Sequence, residues 1–404
     1  MSIKLNKLLN ACNNRLLNCL YCYFRKRRGV EKLVILDDCY PNILSGFRIA
    51  EFNYYLEHYS RSEVHSTGSV PWPGKAENFN DLMLIYSEIY PHLVSRIKLY
   101  HPRRRLSPSG FYCIFLNNAY DYLPVIEKYR KPFILTLYPG GGFQLDDKTS
   151  DRKLTKVLKN KYLRFVIVTQ KITHDYILFN NFCSMEKIKY IYGGVFSQRY
   201  FEPDLVCEHP FDRGVNICFV AAKYTVAGRD KGYDLFIEVA KSIAKIYPKV
   251  RFHVVGGFGV EDLDVTVLGD KITFYGFQTV DFFPEFYKKM HAIISPNRAH
   301  LLAPGAFDGF PTGCSVEAGL CGVGVFCTDP LGLNTAFEDG KDIVIIPSNV
   351  KGIVDLLSQY LDDENMLSEL GKAAQFAFRE EFSMKNQMVS RVGLLDKLVS
   401  GDCS

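Results

Sequence analysis

The stretch from Ser295 to Pro347 restricts the fold more than any other part of the chain. Two short apolar runs, Ala292 to Ile294 and Val323 to Cys327, bracket a glycine-rich loop that leads into a segment of helical period. That pattern predicts a strand, a loop, a helix and a second strand, the repeating unit of an α/β sheet. The helical segment carries one acid, Glu317. A polyanion seated on the free N–H groups at the start of such a helix has a carboxylate beside it.

The same alternation recurs along most of the chain and predicts two doubly wound α/β units. In the first, Lys32 to Leu36, Tyr112 to Leu116, Phe133 to Leu137, Phe165 to Thr169 and Lys187 to Tyr192 read as buried strands, with a helix over Phe47 to His58. The second restarts at Asn216 to Ala221 and continues through a helix from Tyr233 to Tyr247 and strands at Arg251 to Val255 and Ile272 to Tyr275. The polar stretch Tyr200 to Arg213, with its two prolines, is the linker candidate. The expected division is 1–30, a basic amphipathic segment; 31–200, the first domain; 201–380, the second; and 381–404, a C-terminal helix crossing back to the first. A chain of 404 residues has material for two such cores.

Composition narrows the function classes. A net charge of +5, with acids and bases intermixed, gives no nucleic-acid footprint. The twelve cysteines sit mostly in apolar runs, which fits a reduced, cytoplasmic setting better than a disulfide framework. Cys19 and Cys22 have CxxC spacing but no second pair of ligands follows, and no set of histidines has zinc spacing. Asp262-Leu263-Asp264 reads as a solvated turn. No apolar run is long enough to span a membrane. In residues 1–30, leucines at helical spacing surrounded by Lys4, Lys7, Arg15 and the cluster Arg25 to Arg28 suit either a helix lying on an anionic membrane surface or one packed on the first domain.

The ordered series from Ser295 to Pro347 is Asp308-Gly309-Phe310, then Glu317-Ala318-Gly319, a Gly-Val-x-Val strand, Thr328-Asp329 and Glu338-Asp339-Gly340. It resembles the donor-sugar half of retaining nucleotide-sugar glycosyltransferases of family 4, within the glycosyl transferases group 1. The resemblance implies the GT-B fold: two Rossmann-like domains facing across a cleft, with C-terminal helices. It implies that Lys223, in the place of the family's arginine, Lys231 of the Lys-Gly pair, and Arg229 put cations on the donor diphosphate. By the same resemblance Glu317 holds the ribose hydroxyls, and Asp308 with Gly309, Phe310, Pro311 and Thr312 lines the sugar pocket. Asp308 is nine residues before Glu317, where the family's two glutamates are eight apart. Capping of the helix by Asp308 is the alternative role. Gly276, Phe277 and Gln278 fall where the family shows backbone to the nucleobase.

In the first unit, Ser45-Gly46 resembles the family's glycine loop at the diphosphate and acceptor. Tyr138 stands where many relatives have a histidine, and Gly140 and Gly141 follow it in a loop that is either a phosphate or sugar contact or a flexible turn. The expected activity is retaining transfer of a sugar from a UDP or GDP type nucleotide sugar to a hydroxyl of a glycan or lipid-linked acceptor, in polysaccharide or glycoconjugate synthesis. No metal or other cofactor is expected, and the site is cytoplasmic, with possible peripheral attachment to a membrane. A nucleotide-sugar epimerase of the same fold and a non-catalytic sugar-nucleotide scaffold remain as alternatives.

Overall fold

The computed structural model describes residues 32–70, 76–205 and 214–400. The basic segment 1–30 with Cys19 and Cys22, and the part of the linker from 206 to 213, lie outside the described residues.

The first domain runs β1 (Leu33–Asp37), α1 (Gly46–His58), β2 (Glu63–Ser66), α2 (Phe79–Ile89), β3 (Ile97–Leu99), β4 (Gly110–Ile114), α3 (Leu116–Tyr129), β5 (Phe133–Leu137), α4 (Lys148–Leu158), β6 (Leu163–Val168), α5 (Lys171–Phe179) and β7 (Ile188–Tyr190). Its strands form one parallel sheet in the order β3-β2-β1-β4-β5-β6-β7. The second domain runs β8 (Asn216–Val220), α6 (Tyr233–Ile246), β9 (Arg251–Val255), β10 (Ile272–Phe274), α7 (Phe282–Tyr287), β11 (Ala292–Ser295), α8 (Gly313–Leu320), β12 (Gly324–Cys327) and β13 (Val344–Ile345). Its parallel sheet has the order β10-β9-β8-β11-β12-β13. Both sheets therefore reverse direction beside their first strand, between β1 and β4 and between β8 and β11, the places where α/β sheets open a crevice at their carboxyl ends.

Why the strands read as continuous apolar runs follows from burial on both faces. Alternate residues point to opposite sides. In β1, Val34 and Leu36 join a core that also contains Cys218, Val220, Ile293 and Val325 of the second domain, while Leu33 and Ile35 enter a separate core of the first. Ile217 and Phe219 turn the other way, into a core confined to the second domain. One apolar cluster thus runs through both domains and carries the Phe143–Phe307 contact, with ring centroids 5.9 Å apart. At Gly305 a Cβ would lie 1.9 Å from the Leu145 carbonyl oxygen, so only glycine lets the two domains approach there.

Three helices close the chain: α9 (Val350–Asp362), α10 (Glu364–Glu381) and α11 (Met384–Val399). The last packs on the first domain, where Tyr59 donates to Asp396 at 2.9 Å and Leu398 fills the space over Gly110. Among the described residues no helix is long and apolar enough to cross a membrane.

Boundaries differ from the sequence expectation where backbone geometry intervenes. The strand expected over Tyr112 to Leu116 is β4, ending at Ile114, because Phe115 takes a φ of 64° and starts a helix. Strands β2 and β3 are short and carry Glu63, His65 and Lys98, which hid them from an apolar pattern.

Candidate active site

The loops at the carboxyl ends of both sheets enclose a cavity of about 450 Å³. From the first domain it is lined by Ser45, Gly46 and Phe47 after β1, Phe115 after β4, Tyr138 and Pro139 after β5, and Thr169 and Gln170 after β6. The second domain supplies Tyr224, Lys231, Phe277, Gln278, Asn297, Asp308, Gly309, Thr312, Gly313, Cys314 and Glu317.

Lys231 is set by the turn before α6. Gly232 has a φ of 71°, and a Cβ on it would lie 2.0 Å from the Pro296 carbonyl oxygen, so the Lys-Gly pair is a steric requirement of that turn. The ammonium meets both oxygens of Asp308 at 2.7 Å, with Asn297 Nδ2 donating to Asp308 Oδ2 at 2.6 Å and the Tyr224 ring 5.2 Å away. Burial pulls the pKa of Lys231 down, but the charge and hydrogen bonds of Asp308, with Tyr224 and Asp230, outweigh it and hold the pKa above its ordinary value. Asp308 is a partner of Lys231 and not a helix cap: the N-cap of α8 is Thr312, whose side chain caps nothing and bonds instead with Ser295 at 3.1 Å and Ser315 at 2.9 Å. The first N–H groups of α8 are left facing the cavity through Gly313, at which a Cβ would touch nothing within 4 Å.

Glu317 lies one turn further along α8. Burial pushes its carboxyl up to about 8, against a hydrogen bond from the Tyr200 hydroxyl that pulls it down. Gly46 faces it across the cleft: a Cβ on Gly46 would be 3.3 Å from Glu317 Oε1, and any longer side chain would fill the gap.

The first-domain rim is supported from beneath. Asp37 Oδ1 accepts from the N–H groups of Cys39 at 3.0 Å and Tyr40 at 2.7 Å, fixing the start of the loop that ends in Ser45-Gly46. Arg48 donates to Asp37, Asp38, Cys39 and Ser45. Among the described residues Asp37, Asp38 and Cys39 are the one trio spaced to hold a metal, and the Arg48 guanidinium already serves all three. A second network lies under Tyr138. Its hydroxyl donates to Glu51 Oε2 at 3.0 Å, Tyr55 and Tyr112 donate to Oε1, and Arg391 of α11 lies 3.8 Å from the same carboxylate, donating also to Gln387.

Several expected site residues stand elsewhere. Lys223 pairs with Asp262 and does not border the cavity, so Asp262 is not a solvated turn residue. The Arg229 side chain is exposed, outside the cavity. Tyr138 presents its ring to the cavity but turns its hydroxyl into the core. Gly141 folds back on Phe115 and accepts from the Asn117 N–H at 2.9 Å, the Gly140 carbonyl accepts from the Phe143 N–H at 3.0 Å, and neither glycine borders the cavity. Gly276 gives its carbonyl to Gly256, leaving Phe277 and Gln278 on the wall. Phe310 is in the apolar core with its carbonyl toward Gln170, while Pro311 and Thr312 stay on the wall. Sequence reasoning missed Thr169, Gln170 and Asn297; each follows a buried strand by one to two residues, and that position was their signal.

The architecture is the GT-B fold. Residues 219–376, most of the second domain, match the family model described as Glycosyl transferases group 1. No curated protein matches the chain in sequence. Among solved structures the chain is similar to Anabaena HepE in complex with UDP and glucose (TM-score 0.67, 14% identity, 91% of this chain and 100% of that one). It is also similar to sucrose-phosphate synthase from Thermosynechococcus elongatus (TM-score 0.65, 14% identity, 92% and 100%) and to a glycosyltransferase from Rickettsia africae (TM-score 0.64, 13% identity, 93% and 100%).

Proposed function

We propose that the protein is a retaining glycosyltransferase that moves a sugar from a nucleoside-diphosphate sugar to a hydroxyl of a glycan or lipid-linked acceptor. The observation that carries this reading is the juxtaposition, in one cleft, of a buried cation, the open N-terminus of α8 and a carboxylate facing a glycine. The family match over 219–376 supports it.

In this reading the diphosphate sits on the N-terminus of α8 beside Lys231, and Glu317 accepts from the ribose hydroxyls. The bond from the sugar's anomeric carbon to the phosphate oxygen breaks, the acceptor oxygen bonds that carbon on the same face, and the acceptor proton passes to the departing phosphate. No enzymic nucleophile is needed. Lys231 and the helix supply fixed charge where the leaving group becomes more negative, the role a metal ion plays in other transferases. Lys231 is released from Asp308 in this step, and Asp308 turns to the sugar. Closure of the two domains on the donor excludes water and so suppresses hydrolysis. UDP is the first nucleotide to try, because HepE binds it. Residues 1–30 attach the enzyme peripherally to an anionic membrane, a proposal that rests on their leucines and bases alone.

The test is incubation with a panel of UDP and GDP sugars, with and without free or lipid-linked sugar acceptors, following nucleoside diphosphate release and the anomeric configuration of the product. Acceptor-dependent release with retained configuration is expected. Isomerised nucleotide sugar without an acceptor points to an epimerase, and binding without turnover to a scaffold.

A further inference from the structure

Thr169 and Gln170 follow β6, where they are 1% and 2% exposed, and both border the cavity. The Gln170 amide crosses to the second domain: its Nε2 donates to the Phe310 carbonyl at 3.3 Å. A carbonyl accepts only, so this bond orients the amide and sends Oε1 the other way. Among the described residues neither Gln170 Oε1 nor Thr169 Oγ1 has a hydrogen-bond partner. Their main-chain carbonyls are occupied, that of Thr169 by Gly193 and that of Gln170 by Thr173 and His174. Two buried side-chain oxygens left over at a cavity wall are costly unless something that enters the cavity completes them.

Position indicates what that is. Glu317 and Gly46 face each other across the cavity, and the N-terminus of α8 borders it at Gly313. Gln170 lies against the loop that carries Asp308: a Cβ on Gly309 would be 3.3 Å from Gln170 Nε2 and 3.7 Å from Pro139. In the reading above Asp308 turns to the transferred sugar, so Gln170, one residue away from it across the Gly309 contact, stands beside that sugar.

Resting on the nucleotide-sugar reading above, we infer that Gln170 and Thr169 form a hydroxyl-recognition subsite for the transferred sugar, Gln170 Oε1 accepting from a ring hydroxyl and Thr169 Oγ1 completing the pair. Gln170 is then a specificity-determining residue. Because it is held by the Phe310 carbonyl, it also makes sugar recognition depend on the two domains being together.

Calorimetric titration of the full chain with UDP, GDP, UDP-glucose, UDP-galactose, UDP-N-acetylglucosamine and GDP-mannose tests this. For Gln170→Ala, affinity for the bare diphosphate stays unchanged, which also reports an intact fold, while the gain from the attached sugar shrinks by about tenfold and discrimination between epimers narrows. Gln170→Glu keeps an oxygen acceptor and retains more of that gain than Gln170→Ala. Equal weakening of diphosphate and nucleotide sugar, no change in either, or a change confined to the acceptor KM would overturn the assignment. Failure of the unaltered protein to bind any of the six probes overturns the nucleotide-sugar reading instead.

Discussion

The two rims of the cleft are built in opposite ways. On the first domain the charges are buried below the surface, in Asp37 with Arg48 and in Glu51 with Arg391, and the rim itself offers glycine, phenylalanine and a tyrosine ring. On the second domain Lys231, Asp308 and Glu317 stand on the cavity wall. One rim uses its charged groups to hold a shape and leaves only uncharged ones, Thr169 and Gln170 among them, at the cavity, and the other places its charges on the wall. Substitutions in the two should therefore separate into losses of stability and losses of turnover.

The largest effect is expected on the first rim. Arg391 is wholly buried, and removing one partner of a buried ion pair leaves the other charged and poorly compensated, at a cost of about 3 to 5 kcal/mol. Arg391→Met should lower the midpoint of chemical unfolding accordingly, with donor KM near normal in the fraction that stays folded. If stability holds and turnover alone falls, the two rims are not divided as described.

Lys231→Ala tests the second rim. Loss of one preorganised charge at a developing anion typically costs about a hundredfold to a thousandfold in kcat. The drop in kcat should exceed the rise in donor KM, since the charge matters most in the transition state. Thermal unfolding should move far less than in Arg391→Met.

Glu317→Ala comes next, with nucleoside diphosphate affinity weakened by about tenfold or more, as expected for a hydrogen bond to a charged group of about 1.5 to 3 kcal/mol. Its pH dependence follows from the carboxyl near 8. The folded value is raised above the ordinary 4.5, so the stability that the neutral form contributes is complete below about pH 4.5 and is lost as pH rises through about 8. Binding runs the other way: a carboxylate accepting from two ribose hydroxyls must first lose its proton. Affinity for the diphosphate should rise with pH, by up to about tenfold per unit, and level off above 8, with proton release on binding near pH 7. Titrations in buffers of different ionisation enthalpy measure this, and Glu317→Gln should flatten the profile.

Much of this was legible in the sequence for a physical reason. Strands buried on both faces announce themselves as apolar runs, so β5 and β9 were placed to the residue and the double winding followed. Lys231 and Glu317 were singled out by resemblance to the family's Lys-Gly pair and ribose-binding acid, and both stand on the cavity wall. What stayed hidden depends on contacts far apart in the chain. Nothing near Gln170 tells that its amide meets Phe310, and nothing near Glu51 tells that Tyr138 and Arg391 converge on it. Tyr138 was expected on the acceptor side because it stands where many relatives have a histidine, whereas its hydroxyl is drawn inward to buried Glu51.

The smallest effect should come from Lys223, and it sharpens the contrast with Lys231 within one rim. The two lysines are only eight residues apart, and both were expected on the diphosphate. Lys231 is enclosed, paired with an acid that itself borders the cavity, so an arriving phosphate can exchange for that acid without the ammonium moving far. Lys223 has a side chain 28% exposed and is held by Asp262, which is tied by the Gly259 N–H and lies outside the cavity. A half-open pair of this kind contributes about 0 to 1 kcal/mol, and its charge is screened by solvent before it reaches the leaving group. Lys223→Ala should leave kcat and donor KM within about threefold of the unaltered enzyme, and Asp262→Asn likewise. A hundredfold loss in Lys223→Ala would show that the lysine leaves Asp262 and swings onto the diphosphate when the donor binds. In that case the second rim rearranges around its ligand, and the preorganised charge assigned to Lys231 is shared between the two.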